Sequence, residues 1–339
     1  MPVRIVEVAR KAGVSTATVD RVLHGRSGHS TKSAQKVHRA IEELGYVARR
    51  LRQVSRRPSK IRILLVLPKL KNEFLRAIQS LSANAVEART DHDLDLATRE
   101  FDADVPFSAM KALRDISSED ADAVWLCACD GTGIRDEVDR LTEEGVKVIT
   151  IASDIPSSRR YAYLGLDNVA AGRTAGRMIS HFASSETGKV GLITGTNQLR
   201  DHVERIMGIS QVLAMHSPHL ELLSPEEGFG LNALNQTITE KLLRAHKDLV
   251  AIYALAGGNR GVIKALYDSP RRHEVSVVVH QLDSDTREAL IDGSVDLVLH
   301  QDNQRMMQLV LDTTLDALEG EVKPRKPIPI NLIVSENLP

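Results

Sequence analysis

The chain has 339 residues, of which 42% are apolar and 26% charged, and its formal net charge is −1. At roughly 100–200 residues per domain this length implies two or three domains with sizeable cores. No run approaches the ~18 apolar residues of a membrane span, the charged first ten residues do not resemble a secretory leader, and two cysteines cannot staple a chain this long, so the expected setting is a reducing cytoplasm.

The charge is unevenly spread. Residues 1–60 hold fourteen Lys/Arg against four Asp/Glu, a net of +10, and residues 61–339 hold thirty against forty-one, a net of −11. A basic head on an acidic body suggests a nucleic-acid module, and helical periodicity within the head argues against a merely solvated tail. Ile5, Val8, Ala9 and Ala12 recur at helical spacing, which predicts a helix over 4–12 ended by Gly13. Ser15 is suited to cap a second helix over 16–23, with Val19, Val22 and Leu23 inward. Ser30 is suited to cap a third over 31–44, with Val37, Ile41 and Leu44 as its apolar stripe and Gly45 as its end. Two short helices joined by a glycine-containing turn make a helix-turn-helix, and the third helix completes its core.

The run Val8-Ala9-Arg10-Lys11-Ala12-Gly13-Val14-Ser15-Thr16-Ala17-Thr18-Val19-Asp20-Arg21-Val22-Leu23-His24-Gly25 resembles the opening of LacI/GalR-family transcription factors, and Glu43-Leu44-Gly45-Tyr46 resembles the end of that family's headpiece. The resemblance implies double-stranded operator DNA as partner, with the second helix in the major groove. Thr16, Ala17 and Arg21 would face base edges, Ser15 and Thr18 would contact phosphate, and Asp20 and His24 complete that surface. Asp20 stands where the family has a small polar residue; it either accepts from cytosine N4 or repels phosphate. Ala34 replaces a common cation. The hinge departs most: the family's Pro-Asn is absent after Tyr46, and Leu51 is out of register. Arg49 and Arg50 remain as backbone contacts, with Leu51 or Val54 as the candidate minor-groove wedge. The expected boundaries are a headpiece over 1–47, a hinge and linker over 48–60, and an effector-binding and dimerisation domain over 61–339.

In the body, continuous apolar runs at 61–68, 123–128, 146–151, 189–194, 249–254, 275–279 and 295–299 read as buried parallel strands. Helical segments are predicted over 73–90, 108–116, 132–144, 168–183, 202–215, 234–246, 259–268, 284–292 and 303–319. The alternation predicts an α/β fold with parallel sheets covered on both faces, and the length favours two wound lobes. Asn72-Glu73-Phe74, the crossover Gly165-Leu166-Asp167-Asn168, Arg205-x-x-Gly208 and His300-Gln301-Asp302 resemble, in order and spacing, the type I periplasmic-binding-protein-like effector domain of the same family. The N-lobe is then expected over about 61–165 and 300–325 and the C-lobe over about 166–299.

Ligands of wound sheets bind beyond the carboxyl ends of strands, between lobes. That rule selects Asn72, Phe74, Ser153, Asp154, Asn197, Arg200, His202, Asn259, His280, Asp283 and Gln301 as effector-binding residues. Paired Asp, Arg, Asn and Gln suit vicinal hydroxyls, so a sugar or polyol is expected, whereas Arg200 and the histidines leave an acidic or phosphorylated ligand open. Cys127 and Cys129 read as core residues, and Gly131-x-Gly133 as a strand-helix turn. Twelve histidines without HExxH spacing, and no convergent nucleophile, acid and base, give no metal, cofactor or catalytic residue. The expected protein is a ligand-responsive regulator, a homodimer acting on a pseudo-palindromic operator, with repression the family's commoner mode. Its rivals are a solute-binding protein without a genomic role and an α/β enzyme.

Overall fold

A computed structural model describes residues 5–23, 30–44, 60–69, 73–105, 107–183, 187–321 and 327–339. It divides into two compact units, residues 1–60 and 61–339.

The first unit has helices α1 (Ile5–Ala12), α2 (Thr16–Leu23) and α3 (Thr31–Leu44). Val8, Ala9, Ala12, Val19, Val22, Val37 and Ala40 are buried together, one apolar stripe from each helix. Gly13, at φ +65°, ends α1 in the left-handed region that glycine adopts without strain. The Ser15 and Ser30 hydroxyls accept from the backbone N–H of Thr18 (3.2 Å) and Ser33 (3.1 Å), so both act as the expected caps. Lys11 and Glu43 pair at 3.0 Å and join α1 to α3.

The second unit contains two sheets. Strands β1 (Ile61–Pro68), β2 (Leu94–Phe101), β3 (Ala123–Leu126), β4 (Lys147–Ile151) and β5 (Ala162–Leu164) form an all-parallel sheet in the order β2-β1-β3-β4-β5. Strands β6 (Gly188–Thr194), β7 (Leu220–Leu222), β8 (Glu226–Glu227), β9 (Leu249–Ala254), β10 (Ser276–His280), β11 (Leu297–Gln301) and β12 (Ile330–Ile333) form the other, ordered β12-β11-β10-β9-β6-β7 with β8 also on β6. Only β12 runs antiparallel, against β11.

Each sheet is buried on both faces, because successive side chains of a strand point opposite ways. Ile63, Leu65 and Leu67 pack on one side of β1 with α4 (Glu73–Glu87) and α12 (Asn303–Glu319). Leu64 and Val66 pack on the other with α5 (Ser108–Arg114) and α6 (Thr132–Glu143). In the second lobe Ala251 and Tyr253 face α7 (Asn168–Phe182) and α8 (Arg200–His216), whereas Ile252 and Ala254 face α9 (Asn232–Ala245), α10 (Asn259–Tyr267) and α11 (Ser284–Ile291). The largest fully buried side chain, Trp125, donates its indole N–H to Thr314 Oγ1 at 2.8 Å, tying α12 to the first sheet.

The chain crosses between lobes three times. It leaves β5 for α7 through Leu166, leaves β11 for α12 through Asp302, and returns to β12 past Ile328, which bridges Leu166 in parallel. Asp167 caps α7 by accepting from Ala170 N (2.8 Å), and Asp302 caps α12 by accepting from Arg305 N (2.9 Å). Each crossing strand thus ends directly in a helix of the opposite lobe. Strands β2, β7, β8 and β12 carry no continuous apolar run, and β5 is only three residues long; all but β8 lie at or next to a sheet edge, where one face or one side meets solvent. No described helix is long and apolar enough to cross a membrane.

Candidate functional site

In the first unit α2 presents Thr16, Ala17 and Arg21 to solvent, while Val19 and Val22 hold its other face in the core. Ser15 and Thr18 join their hydroxyls at 2.9 Å at the start of α2, and Thr18 and Asp20 are half-buried. The expected contacts His24, Arg49, Arg50 and Leu51 lie outside the described residues.

In the second unit the carboxyl ends of β1, β3, β4, β6, β9, β10 and β11 face a cleft of about 910 Å³ between the lobes. Three of the four non-glycine residues with positive φ among the described residues line it: Ala152 (φ 61°) after β4, Phe229 (φ 53°) after β8 and Gln281 (φ 71°) after β10. Left-handed backbone costs such residues on the order of 1 kcal/mol, and it collects where strand ends turn to form a binding wall.

Helix α8 supplies much of the polar floor through Asp201, His202 and Arg205. Arg205 donates from Nε to Asn168 Oδ1 (3.0 Å) and from Nη1 to the Leu255 carbonyl (2.5 Å). This seat exists because α7 and α8 touch through glycines: a Cβ on Gly172 would lie 2.0 Å from the Arg205 carbonyl oxygen, and one on Gly208 would lie 2.3 Å from that of Val169. Asn259 donates from Nδ2 to the His280 carbonyl (2.7 Å), and His280 Nε2 lies 2.7 Å from the Tyr253 hydroxyl. Burial, with the Arg205 charge nearby, holds the His280 imidazole well below its usual value near 6.5, so it is neutral. Burial lowers His300 in the same direction. Ser153 Oγ, Asp201 Oδ1 and Asn259 Oδ1 are buried without a hydrogen-bond partner in the protein. Among the described residues no cluster of three His, Cys, Asp or Glu is placed to hold a metal ion.

Residues 4–48 match bacterial regulatory proteins of the lacI family, and residues 63–322 match the periplasmic binding protein domain. The chain belongs to the periplasmic binding protein domain family over residues 63–322 and carries a lacI-family match at its head. The chain is 26% identical over 259 residues to the HTH-type transcriptional regulator MalR of Streptomyces coelicolor, covering 76% of this chain and 67% of MalR. Its body shares the fold of an ABC transporter solute binding protein from Burkholderia graminis in complex with D-arabinose, with TM-score 0.75 and 22% identity over 83% of this chain and 98% of that one. It likewise shares the fold of GanP, a glucose-galactose binding protein from Geobacillus stearothermophilus, with TM-score 0.73 and 20% identity over 83% and 99% of the two chains. The two matches fall one on each unit, residues 4–48 on the first and 63–322 on the second.

The interlobe cleft brings together seven of the eleven residues singled out from the sequence: Phe74 and Ser153 from the first lobe, His202, Asn259, His280 and Asp283 from the second, and Gln301 at a crossover. Asn72 lies outside the described residues. Three others do not line the cleft. Asp154 is held within the first lobe by Arg160 Nη2 (2.6 Å), Thr150 Oγ1 (2.8 Å) and Ile155 N (2.7 Å); burial alone would raise its carboxyl, but these partners hold it below its ordinary value. Asn197 is exposed, its backbone N–H bound to Glu227 Oε1 (2.6 Å). Arg200 pairs with Glu204 at 2.7 Å and stands 3.7 Å from Asp130 of the first lobe, so it bridges the lobes. Cys127 is not only a core residue, since it also lines the cleft, with burial pushing its thiol up to about 12; Cys129 lies beyond the end of β3 and is half-buried.

Sequence reasoning missed Asp201, Arg205 and Phe229 as lining residues. Asp201 and Arg205 share one face of α8 at i, i+4 spacing, and Arg205 opens the Arg205-x-x-Gly208 motif. For Phe229 the signal was its flanking glycines, Gly228 and Gly230, where the chain turns in the left-handed region.

Proposed function

We infer that this protein is a homodimeric transcription regulator acting in the cytoplasm, in which a sugar or polyol bound between the lobes sets the affinity of two headpieces for operator DNA. The observation that carries this reading is the presence in one chain of an exposed Thr16-Ala17…Arg21 edge on a lacI-type unit and a polar interlobe cleft. Arg21 suits a bidentate contact to guanine O6 and N7, Thr16 and Ala17 offer a hydroxyl and a methyl to base edges, and Ser15 and Thr18 position the helix on phosphate. Two headpieces double the small footprint of one and match a two-fold operator. The D-arabinose and glucose-galactose binding proteins that share the fold support a sugar-class effector, and the matches to regulators and binding proteins support a binding rather than a catalytic role. Binding between the lobes favours one interlobe arrangement, and its differential affinity for the two arrangements, typically ~1–3 kcal/mol, is transmitted to the DNA.

The solute-binding likeness of the body favours a second reading, binding without regulation. Gel shifts of the full-length protein on fragments of its source genome separate the two. A regulator shows one or a few fragments bound specifically, with affinity falling steeply as salt rises. Absence of any salt-sensitive DNA affinity rejects the regulator and leaves the solute binder.

A further inference from the structure

The unpartnered atoms of the cleft share a chemical sense. Asp201 Oδ1 can only accept a hydrogen bond, and so can Asn259 Oδ1, because the bond from Asn259 Nδ2 to the His280 carbonyl decides which amide atom remains. Ser153, whose Oγ is likewise unpartnered, lines the same space from the other lobe. These residues are only 8%, 4% and 1% exposed. We propose that the cleft selects an uncharged, hydroxyl-rich ligand and turns away its phosphate esters and uronic acids, with Asp201 as the residue that makes the selection. This rests on the effector reading above.

A buried acceptor left without a donor is costly, so a ligand that fits must bring donors to Asp201 and Asn259. Hydroxyl groups do so, and vicinal ones can serve two acceptors at once. A phosphate dianion or a carboxylate brings only acceptors and sets like charge against Asp201. Three cations of the lining already spend donors on partners within the protein. Lys69 is bound by Asp102 at 2.7 Å, and Arg260 by Asp285 at 3.1 Å. Arg205 spends Nε and Nη1 on Asn168 and Leu255, and Asp201 stands one turn earlier on the same helix face. His280 and His300, held neutral by burial, add no positive charge.

The test uses full-length protein and matched pairs of probes: D-ribose and D-ribose 5-phosphate, D-galactose and D-galacturonate, and myo-inositol and its monophosphate. Thermal shift ranks them and calorimetry measures Kd. At least one neutral member is expected to bind, with its charged partner at least tenfold weaker. In Asp201→Asn, which replaces one acceptor by a donor, the neutral ligand weakens at least tenfold and the discrimination shrinks. Ser153→Ala, a smaller change, weakens the neutral ligand several-fold and provides a check if Asp201→Asn fails to fold. A charged member binding as tightly as its parent overturns the selection while leaving the ligand-gated regulator standing. An unchanged ratio in folded Asp201→Asn overturns the role of Asp201. No binding by any member, together with DNA affinity indifferent to all of them, overturns this proposal and the effector reading alike.

Discussion

The two units use the same physical materials in opposite ways. The headpiece hides a small apolar core and places its chemistry outside, on the exposed side of a short helix. The body hides its chemistry inside, where Arg205, Asn259 and His280 are held by specific hydrogen bonds between segments far apart in the chain. An exterior surface tolerates change in its contacts without loss of fold, because water solvates whatever is put there. An interior polar site does not, since each buried group needs its partner and each close approach its glycine. Stability and function are therefore expected to separate in the head and to move together in the body.

Gly172→Ala is the most severe way to sharpen this contrast. With the Arg205 carbonyl oxygen 2.0 Å from the new Cβ, α7 and α8 must part, and overpacking of this kind costs about 3 kcal/mol. Urea unfolding of the full-length protein is expected to show the body transition shifted by that amount, with ligand affinity falling alongside as Arg205 loses its seat. An unshifted transition would break the link between the helix contact and the cleft.

Arg21→Ala is the matching change in the head. It is expected to weaken specific operator binding by about 1–3 kcal/mol, with no change in unfolding or in ligand-induced thermal shift. Gel shifts on the captured fragment measure the first, and differential scanning the second. Loss of headpiece stability would show that the exposed edge is structural after all.

Acid is expected to act on the body through His280. Above pH ~6.5 both folded and unfolded states carry a neutral imidazole and the group contributes nothing. Below it the unfolded chain takes up a proton that the buried ring refuses, so stability falls by up to about 1.4 kcal/mol per pH unit until the folded ring titrates. His300 adds in the same direction, whereas Glu204, raised by burial, acts oppositely at lower pH. Unfolding followed from pH 7.5 to 5.5 should show a slope that His280→Gln, which keeps an acceptor for Tyr253, flattens. An equal slope in both proteins would mean that another group carries it.

Arg200→Ala should have the smallest effect. Its contact with Asp130 is at 3.7 Å and its side chain is 41% exposed, so the interlobe pair contributes less than about 1 kcal/mol. A modest salt-dependent change in ligand affinity is expected, measured by calorimetry at low and high ionic strength. A loss as large as that of Asp201→Asn would move Arg200 from the bridge into the site.

The headpiece was legible almost residue by residue. Helical spacing, Ser15, Ser30 and Gly13 are local signals, and each element they predict agrees with the helices over 5–12, 16–23 and 31–44. The central strands of the body were equally plain, because burial on both faces demands a continuous apolar run such as Ile63–Leu67. The strand Leu94–Phe101 was not, since it lies at an edge and alternates polar with apolar residues. Neither was β12, whose four residues pair only after the chain has crossed between the lobes three times.

Local patterning by itself determined which segments become helix or strand, where caps and turns fall, and that polar side chains gather beyond the strand ends. Tertiary structure alone decided which polar side chains spend themselves on neighbours and which are left without a partner beside the cleft. Asp154 and Asp201 look alike in sequence, each near the end of a strand or the start of a helix. One is taken by Arg160, Thr150 and Ile155, and the other keeps a buried oxygen unpartnered. Hydrogen-bonding capacity is short-ranged and saturable, so what a group offers a ligand depends on which partners the fold brings within about 3 Å of it.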